Sequence, residues 1–291
     1  MSIAAHLATG VTTIARAWAL TRADGLTLGF TDHDRDLVFE GVHFRADAGL
    51  SARALEQVTG LAVDNSEAVG ALRNAGLSEG DIMAGRYDGA DLRIWEVNWA
   101  DATQRQVIFC GTLGEITRAG GVFRAELRGL SEPLGQQGGR VYHAACVAVL
   151  GDGACNFDLD APGYSAQAQI VSVTDGQDFT FAPLDAVAQG WFAQGRLVVL
   201  DGQAAGLVGH IREDRHEGGM RRIALWDAIR ATLAVGDLVR LEAGCDKQAE
   251  TCRLKFDNLL NFRGFPDMPG EDWMMAYPKA GQRNDGGSRR G

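Results

Sequence analysis

Four of the five cysteines fall in two pairs, Cys146 with Cys155 and Cys245 with Cys252. A chain that uses all four together must fold back over the long stretch between the pairs, bringing two loops to one point. Eight residues separate the first pair and six the second. Soft thiolates select zinc, copper(I) or iron-sulfur centres, and four of them suit tetrahedral zinc or a cubane cluster. Structural zinc usually draws each ligand pair from a knuckle with about two to four intervening residues, because both sulfurs must reach one small ion. Gaps of eight and six are looser than that. A 4Fe-4S cluster is several ångströms across and offers four separate irons, so longer loops can serve it. The spacing therefore favours 4Fe-4S, with zinc as the alternative.

The flanking residues suit a cage of loops. Gly151-Asp152-Gly153-Ala154 precedes Cys155, and Gly244-Cys245-Asp246-Lys247 leaves a strand at a turn. Glycine lets backbone amides approach the sulfurs. Two disulfides, or four buried thiols, are the blander alternatives, since free cysteine is among the most buried residue types. His143, three residues before Cys146, could replace one thiolate, or pack with Tyr142 beside the cage. Cys110 ends the apolar run Val107-Ile108-Phe109-Cys110 and is expected to be a core residue.

The rest of the chain reads as strands joined by tight turns. The 291 residues carry 38 Gly but only 6 Pro, and 46% are hydrophobic, enough for a sizeable core. Expected strands in the first half are Thr12 to Thr21, Leu26 to Thr31, Leu37 to Phe39, Val42 to Phe44, Leu92 to Val97, Gln106 to Phe109 and Val122 to Leu127. Hairpin turns are expected at Ala23-Asp24-Gly25, Glu40-Gly41 and Gly120-Gly121. Ser2 to Ala8 is a short amphipathic opening, and short helices are expected over Ser66 to Ala75 and Ser78 to Ala84.

In the second half the expected strands are Ala166 to Thr174, Gly195 to Asp201, Ala205 to Arg212, Arg221 to Trp226 and Asp237 to Glu242, with turns at Asp201-Gly202 and Glu217-Gly218-Gly219. Their spacing suits a small antiparallel barrel or sandwich. The whole is expected to be mainly β with short helices (α+β). A drop in hydrophobicity after Leu130 divides it into an N-terminal domain, 1–132, and a C-terminal domain, 133–280. The polar, Gly-rich residues 281–291 are expected to be a disordered tail.

Several function classes fit poorly. A formal charge of −10, from 28 Lys and Arg against 38 Asp and Glu, does not suit a nucleic-acid coat, which needs clustered cations. No apolar run reaches the roughly 18 residues of a membrane helix, and Met1 to His6 lacks signal-peptide character, so synthesis in the cytoplasm is expected. No phosphate loop, Ser/His/Asp order or HExxH motif stands out, and Asp32, His33, Asp34 and Asp36 read as a solvated hairpin end.

The run Glu242-Ala243-Gly244-Cys245-Asp246-Lys247, Thr251-Cys252-Arg253, Lys255-Phe256, Asn258 and Asn261 to Pro266 resembles the signature of a phage-conserved protein family of siphophage and gene-transfer-agent tails. Leu28 to Leu37 resembles that family as well, so the likeness covers nearly the whole chain. The family is similar to the tail-tip protein L of lambda-like phages, in which four cysteines so paired hold an iron-sulfur cluster. The resemblance implies that Cys146, Cys155, Cys245 and Cys252 hold a 4Fe-4S cluster. It further implies a homotrimeric baseplate hub in the tail tip of a phage-like virion, joining the tail tube and distal tail protein to a large, megatron-like, fibre-bearing tip protein. Asn258, Asn261, Phe262 and Arg263 would then cover the cluster or lie at a subunit interface. Equally, Phe256, Leu259, Leu260 and Phe262 could form one core face of a terminal segment. The expectation is a structural protein rather than an enzyme, an iron-sulfur redox enzyme or sensor being the alternative.

Overall fold

The computed structural model describes residues 3–46, 65–68, 78–119, 122–130 and 141–268, together with residues 135 and 139. A short helix, α1 (Ile3–Leu7), precedes strands β1 (Ile14–Thr21), β2 (Thr27–Thr31), β3 (Leu37–Phe39), β4 (Val42–Arg45) and β5 (Asn65–Ala68). Helix α2 (Glu79–Met83) and strands β6 (Asp91–Asn98), β7 (Arg105–Ala119) and β8 (Val122–Gly129) follow. These strands form one eight-stranded sheet in the order β3-β4-β2-β1-β6-β7-β8-β5. Every pairing is antiparallel except β2 with β4.

Side chains alternate across a strand, and the central strands bury both faces. On β1, Trp18 and Leu20 join one core with Ile94, Phe109 and Leu127, whereas Ala15, Ala17 and Ala19 join the other with Phe39, Phe44 and Trp95. The Glu40-Gly41 turn has both residues at positive φ, 51° and 75°, the conformation a two-residue hairpin requires.

The second half holds β9 (Ser165–Thr174), β10 (Asp178–Phe181), β11 (Arg196–Val199), β12 (Val208–Glu217), β13 (Met220–Leu225) and β14 (Leu238–Glu242). They close into a six-stranded barrel, β10-β13-β12-β11-β14-β9. Inward positions at i and i+2, such as Phe179 and Phe181, Leu197 and Val199, or Val239 and Leu241, fill it. Helix α3 (Ala249–Leu254) and a one-turn 3-10 helix (Leu259–Asn261) follow β14.

A fully buried ion pair ties the barrel to the loop that caps it. Arg221 Nε donates to Asp214 Oδ1 at 2.5 Å, and the same guanidinium donates to the Val187 and Ala188 carbonyls, both at 2.8 Å. Asp214 Oδ2 also accepts the Phe192 amide at 2.9 Å, and the guanidinium lies 5.0 Å from the Phe192 ring centroid. The charges are buried but richly hydrogen-bonded, the condition under which such a pair is tolerated.

A second charged chain runs from sheet to barrel. Buried Arg22 pairs with Asp24 and Asp81, Asp81 pairs with Arg86 at 3.0 Å, and Arg86 donates to the Ala205 and Gln203 carbonyls at 3.0 and 2.8 Å. The Arg22 hydrogen bond holds the Asp24 carboxyl below the usual carboxylate range.

Some expectations are corrected. Residues 65–68 form strand β5, paired with β8 from Asn65↔Arg128 to Ala68↔Ala125, where a helix over Ser66 to Ala75 was expected; the rest of that segment lies outside the described residues. Pairing along an otherwise open strand edge satisfies its backbone groups and outweighs a weak helical propensity. Strand β7 runs well beyond Phe109, and β10 and α3 were not anticipated. Cys110 is half-buried rather than a core residue, because alternation puts it on the face of β7 opposite buried Phe109, across from exposed Arg93. Residues 131–134, 281–291 and the Gly120-Gly121 pair lie outside the described residues, so the expected boundary and tail do too.

Removing one partner of the buried pair should be severe. Asp214→Ala is expected to lower unfolding free energy by about 3–5 kcal/mol, and an apolar Arg221→Met/Asp214→Leu double variant by less, both read from guanidinium unfolding. For Asp24, a depressed carboxyl adds stability that is present above the ordinary carboxylate range and lost as pH falls through its folded value. Asp24→Asn is therefore expected to lower the melting temperature at neutral pH and to converge with wild type as pH falls through the folded value, which flattens the acid limb of the profile.

Candidate metal centre

Barrel closure is what brings the two cysteine pairs together. Strands β9 and β14 are antiparallel neighbours, with Ser165 opposite Glu242. The chain entering β9 and the chain leaving β14 therefore lie at the same end of the barrel, and these chains carry Cys155 and Cys245 respectively. Backbone bonds then join the two loops: the Cys146 amide donates to the Lys247 carbonyl at 2.9 Å, and Lys247 Nζ donates to the Ala148 carbonyl at 2.6 Å.

The first loop is organised by Asp152. Its carboxylate accepts the Val149 and Ala154 amides at 2.9 Å and the Cys155 amide at 2.6 Å. These donors, Cys155 first, hold the Asp152 carboxyl below its usual range. In the second loop Asp246 caps the turn into α3, accepting the Gln248 amide at 2.9 Å and the Thr251 hydroxyl at 2.7 Å. That turn delivers Cys252, on α3, to the interior, where it is buried.

The third wall is the segment after α3. The Arg263 amide donates toward Cys146 Sγ at 3.3 Å, and Arg263 Nε donates to the Ala154 carbonyl at 3.2 Å. Asn258 Nδ2 donates to the Cys155 carbonyl at 2.7 Å and lies 3.5 Å from Cys155 Sγ, while Asn261 Nδ2 donates to Asn258 Oδ1 at 2.7 Å. Two glycines permit the close approach of these walls. A Cβ on Gly264 would lie 2.6 Å from the Ala144 and Ala145 carbonyl oxygens, and one on Gly244 would lie 1.6 Å from the Ala193 carbonyl oxygen.

The thiols sense one another. Burial pushes the Cys252 thiol up, and the neighbouring Cys245, Cys146 and Cys155 push it further. Burial raises the Cys245 thiol too, partly offset by the Lys247 amide that donates to it. Lys255 lies beneath, donating to the Trp191 and Gly244 carbonyls at 2.7 and 2.9 Å, with its ammonium 4.2 Å from the Trp191 ring centroid. Phe157, Tyr164 and Phe256 pack edge-on and stacked around that stem. All four cysteines are free, and among the described residues no group of three or more His, Cys, Asp or Glu is gathered tightly enough for a single metal ion.

Cys146, Cys155, Cys245, Cys252, Asn258, Asn261 and Arg263 are thus brought into one neighbourhood. His143 enters it through its backbone: its carbonyl accepts the Phe265 amide at 2.9 Å, beside a Tyr142–Phe265 ring contact. Phe262 is half-buried. Of the alternative apolar face, only Phe256 is core; Leu259 and Leu260 are exposed. Sequence reasoning missed Asp152 as loop organiser and Lys255 as a half-buried cation; the Asp-Gly turn before Cys155 was the available signal for the first. The residues at 32–36 link β2 to β3, which are separated by β4, so they are not the hairpin end expected: Asp32 accepts the Arg16 amide at 2.6 Å, Asp36 accepts the Ala46 amide at 2.9 Å, and His33 lies 3.2 Å from Asp34 with its ring 4.9 Å from that of Trp99.

A large two-faced sheet is thus followed by a small closed barrel, with a cysteine-lined loop cage where strand β9 begins and strand β14 ends. The family model described as "Baseplate hub protein, N-terminal attachment domain" matches residues 1–158, and that described as "Phage conserved hypothetical protein BR0599" matches residues 190–272. A chain in the solved structure "Virion of native gene transfer agent (GTA) particle" is 55% identical, with 99% of each chain covered and a TM-score of 0.91. A search of curated proteins returned no match. The chain belongs to the phage baseplate hub protein family. The first family model contains Cys146 and Cys155, the second Cys245 and Cys252.

Gly264→Ala is expected to cost about 1–3 kcal/mol through overpacking against the Ala144–Ala145 backbone, measured by chemical unfolding. Gly153→Ala, where an added Cβ meets nothing within 4 Å, should be close to neutral in the same assay.

Proposed function

We propose that this protein is the structural hub at the distal tip of a phage-like tail, in a siphophage or gene transfer agent virion, and that Cys146, Cys155, Cys245 and Cys252 hold a 4Fe-4S cluster there. The observation that carries the cluster is the convergence of four free thiols from loops far apart in sequence, with amide donors aimed at their sulfurs. This donor set fits the group: thiolates are its natural ligands, and a body several ångströms wide does not need them to converge as tightly as one zinc ion does. When bound, the cluster would cross-link the two loops and add its binding free energy to folding.

In this reading residues 1–132 form the attachment part, and residues 133–280 carry the cluster. The hub is a homotrimer that joins the tail tube and distal tail protein to the fibre-bearing tip protein, and no sequence-specific nucleic-acid contact is part of the role. Likeness to a chain of a gene transfer agent virion and the family's printed hub description support it. The role is structural, not catalytic, since four cysteine ligands leave no iron open to substrate. The protein is made in the reducing cytoplasm and then built into the particle. No described helix is long and apolar enough to cross a membrane.

Anaerobic expression is expected to give a protein with broad visible absorption and matched iron and sulfide. Cys→Ser at any of the four positions should abolish that content and block assembly of functional tails. Stoichiometric zinc without sulfide would replace the cluster by a zinc site, and intact, infectious particles from all four variants would remove the metal from the hub's role.

A further inference from the structure

The described structure offers several features that the hub role does not absorb: the open cleft between α2 and the barrel, the charged patch on β12 and β13, and the half-buried polar side chains around the cysteines. The last carries furthest, through Asn258.

The orientation of Asn258 is fixed by its neighbours. A backbone carbonyl only accepts, so the group facing the Cys155 carbonyl at 2.7 Å must be the Nδ2 amide. Oδ1 is then the atom that receives Asn261 Nδ2 at 2.7 Å. With one amide hydrogen on the Cys155 carbonyl, the other is directed to Cys155 Sγ, 3.5 Å away. The backbone of the same residue is pinned to the other loop, its amide donating to the Cys252 carbonyl at 3.0 Å. One residue thereby connects two of the candidate ligands, Cys252 close by and Cys155 lying 103 residues before it in sequence.

We propose that Asn258 is a positioning residue of the metal centre: it sets where Cys155 Sγ points and donates a hydrogen bond that stabilises negative charge on that sulfur. Asn261 keeps the amide from turning over. The inference rests on the cluster reading above. Outer partners of this kind orient ligands and tune the group they hold. A donor to a cluster sulfur favours the reduced, more negative state, so its loss lowers the reduction potential.

The test uses the full chain, expressed and purified without oxygen, as wild type, Asn258→Leu and the near-isosteric Asn258→Asp. Iron release to a chelator is expected to quicken by about 10–100-fold in both variants, the usual effect of losing an outer-shell partner. The midpoint potential should fall in Asn258→Leu and fall further in Asn258→Asp, where a carboxylate faces the sulfur. A merely structural role would lower thermal stability and leave the potential of the surviving cluster unchanged, and that result overturns the proposal. Should Asn258→Leu fail to fold, Asn258→Asp alone decides. Wild-type protein lacking iron and sulfide would overturn the cluster reading and this inference with it. A loaded wild type with unaltered variants overturns the inference alone.

Discussion

The antiparallel pairing of β9 with β14 is the constraint on which the metal centre depends. Placing Ser165 opposite Glu242 closes the barrel, and in closing it makes neighbours of the chain that arrives from Cys155 and the chain that departs toward Cys245. Neither loop could bring its thiols to the other without that ladder. Closure also removes the strand edges that would otherwise template association with other sheets. On the other side of β14, Gly195 and Gly244 let the chain entering β11 approach closely, since an added Cβ would lie 2.1 and 1.6 Å from the Glu242 and Ala193 carbonyl oxygens.

Electrostatics enter the two halves differently. Inside the barrel, Arg221 and Asp214 carry opposite charges out of water and meet every hydrogen-bonding demand with each other, His216 and backbone groups of the capping loop. Between sheet and barrel the charges are shared among Asp24, Arg22, Asp81 and Arg86, ending on the carbonyls of a barrel turn. The first arrangement fixes a loop within one unit. The second ties sheet to barrel through a run of charged and carbonyl groups.

Much of the strand pattern was legible because Gly and Asp mark its turns: Asp24-Gly25, Glu40-Gly41 and Glu217-Gly218-Gly219 all fall where the chain reverses. What escaped were elements whose local signal is short. Strand β10 is four residues, Asp178–Phe181, and helix α3 is six, Ala249–Leu254; each is set by packing rather than by periodicity. The segment at Ser66 carried a helical cap signal yet pairs as a strand, since an open edge on β8 was invisible in sequence. The pairing of cysteines into two loops could be read from spacing. The contacts of Asn258 and Arg263 with the sulfurs could not, because they depend on how the chain folds back.

The order of residues along the chain has a temporal meaning. During synthesis, at roughly 5–20 residues per second, the sheet and the loop bearing Cys146 and Cys155 emerge first. The 103 residues that separate Cys155 from Asn258 then take roughly 5–20 seconds to follow at that rate. For most of that interval the first two thiols have no partners and strand β9 has no β14, and until its end Cys155 Sγ has no amide facing it. The centre can be completed only once nearly all of the described chain has been made, so a completed centre reports that the barrel has closed.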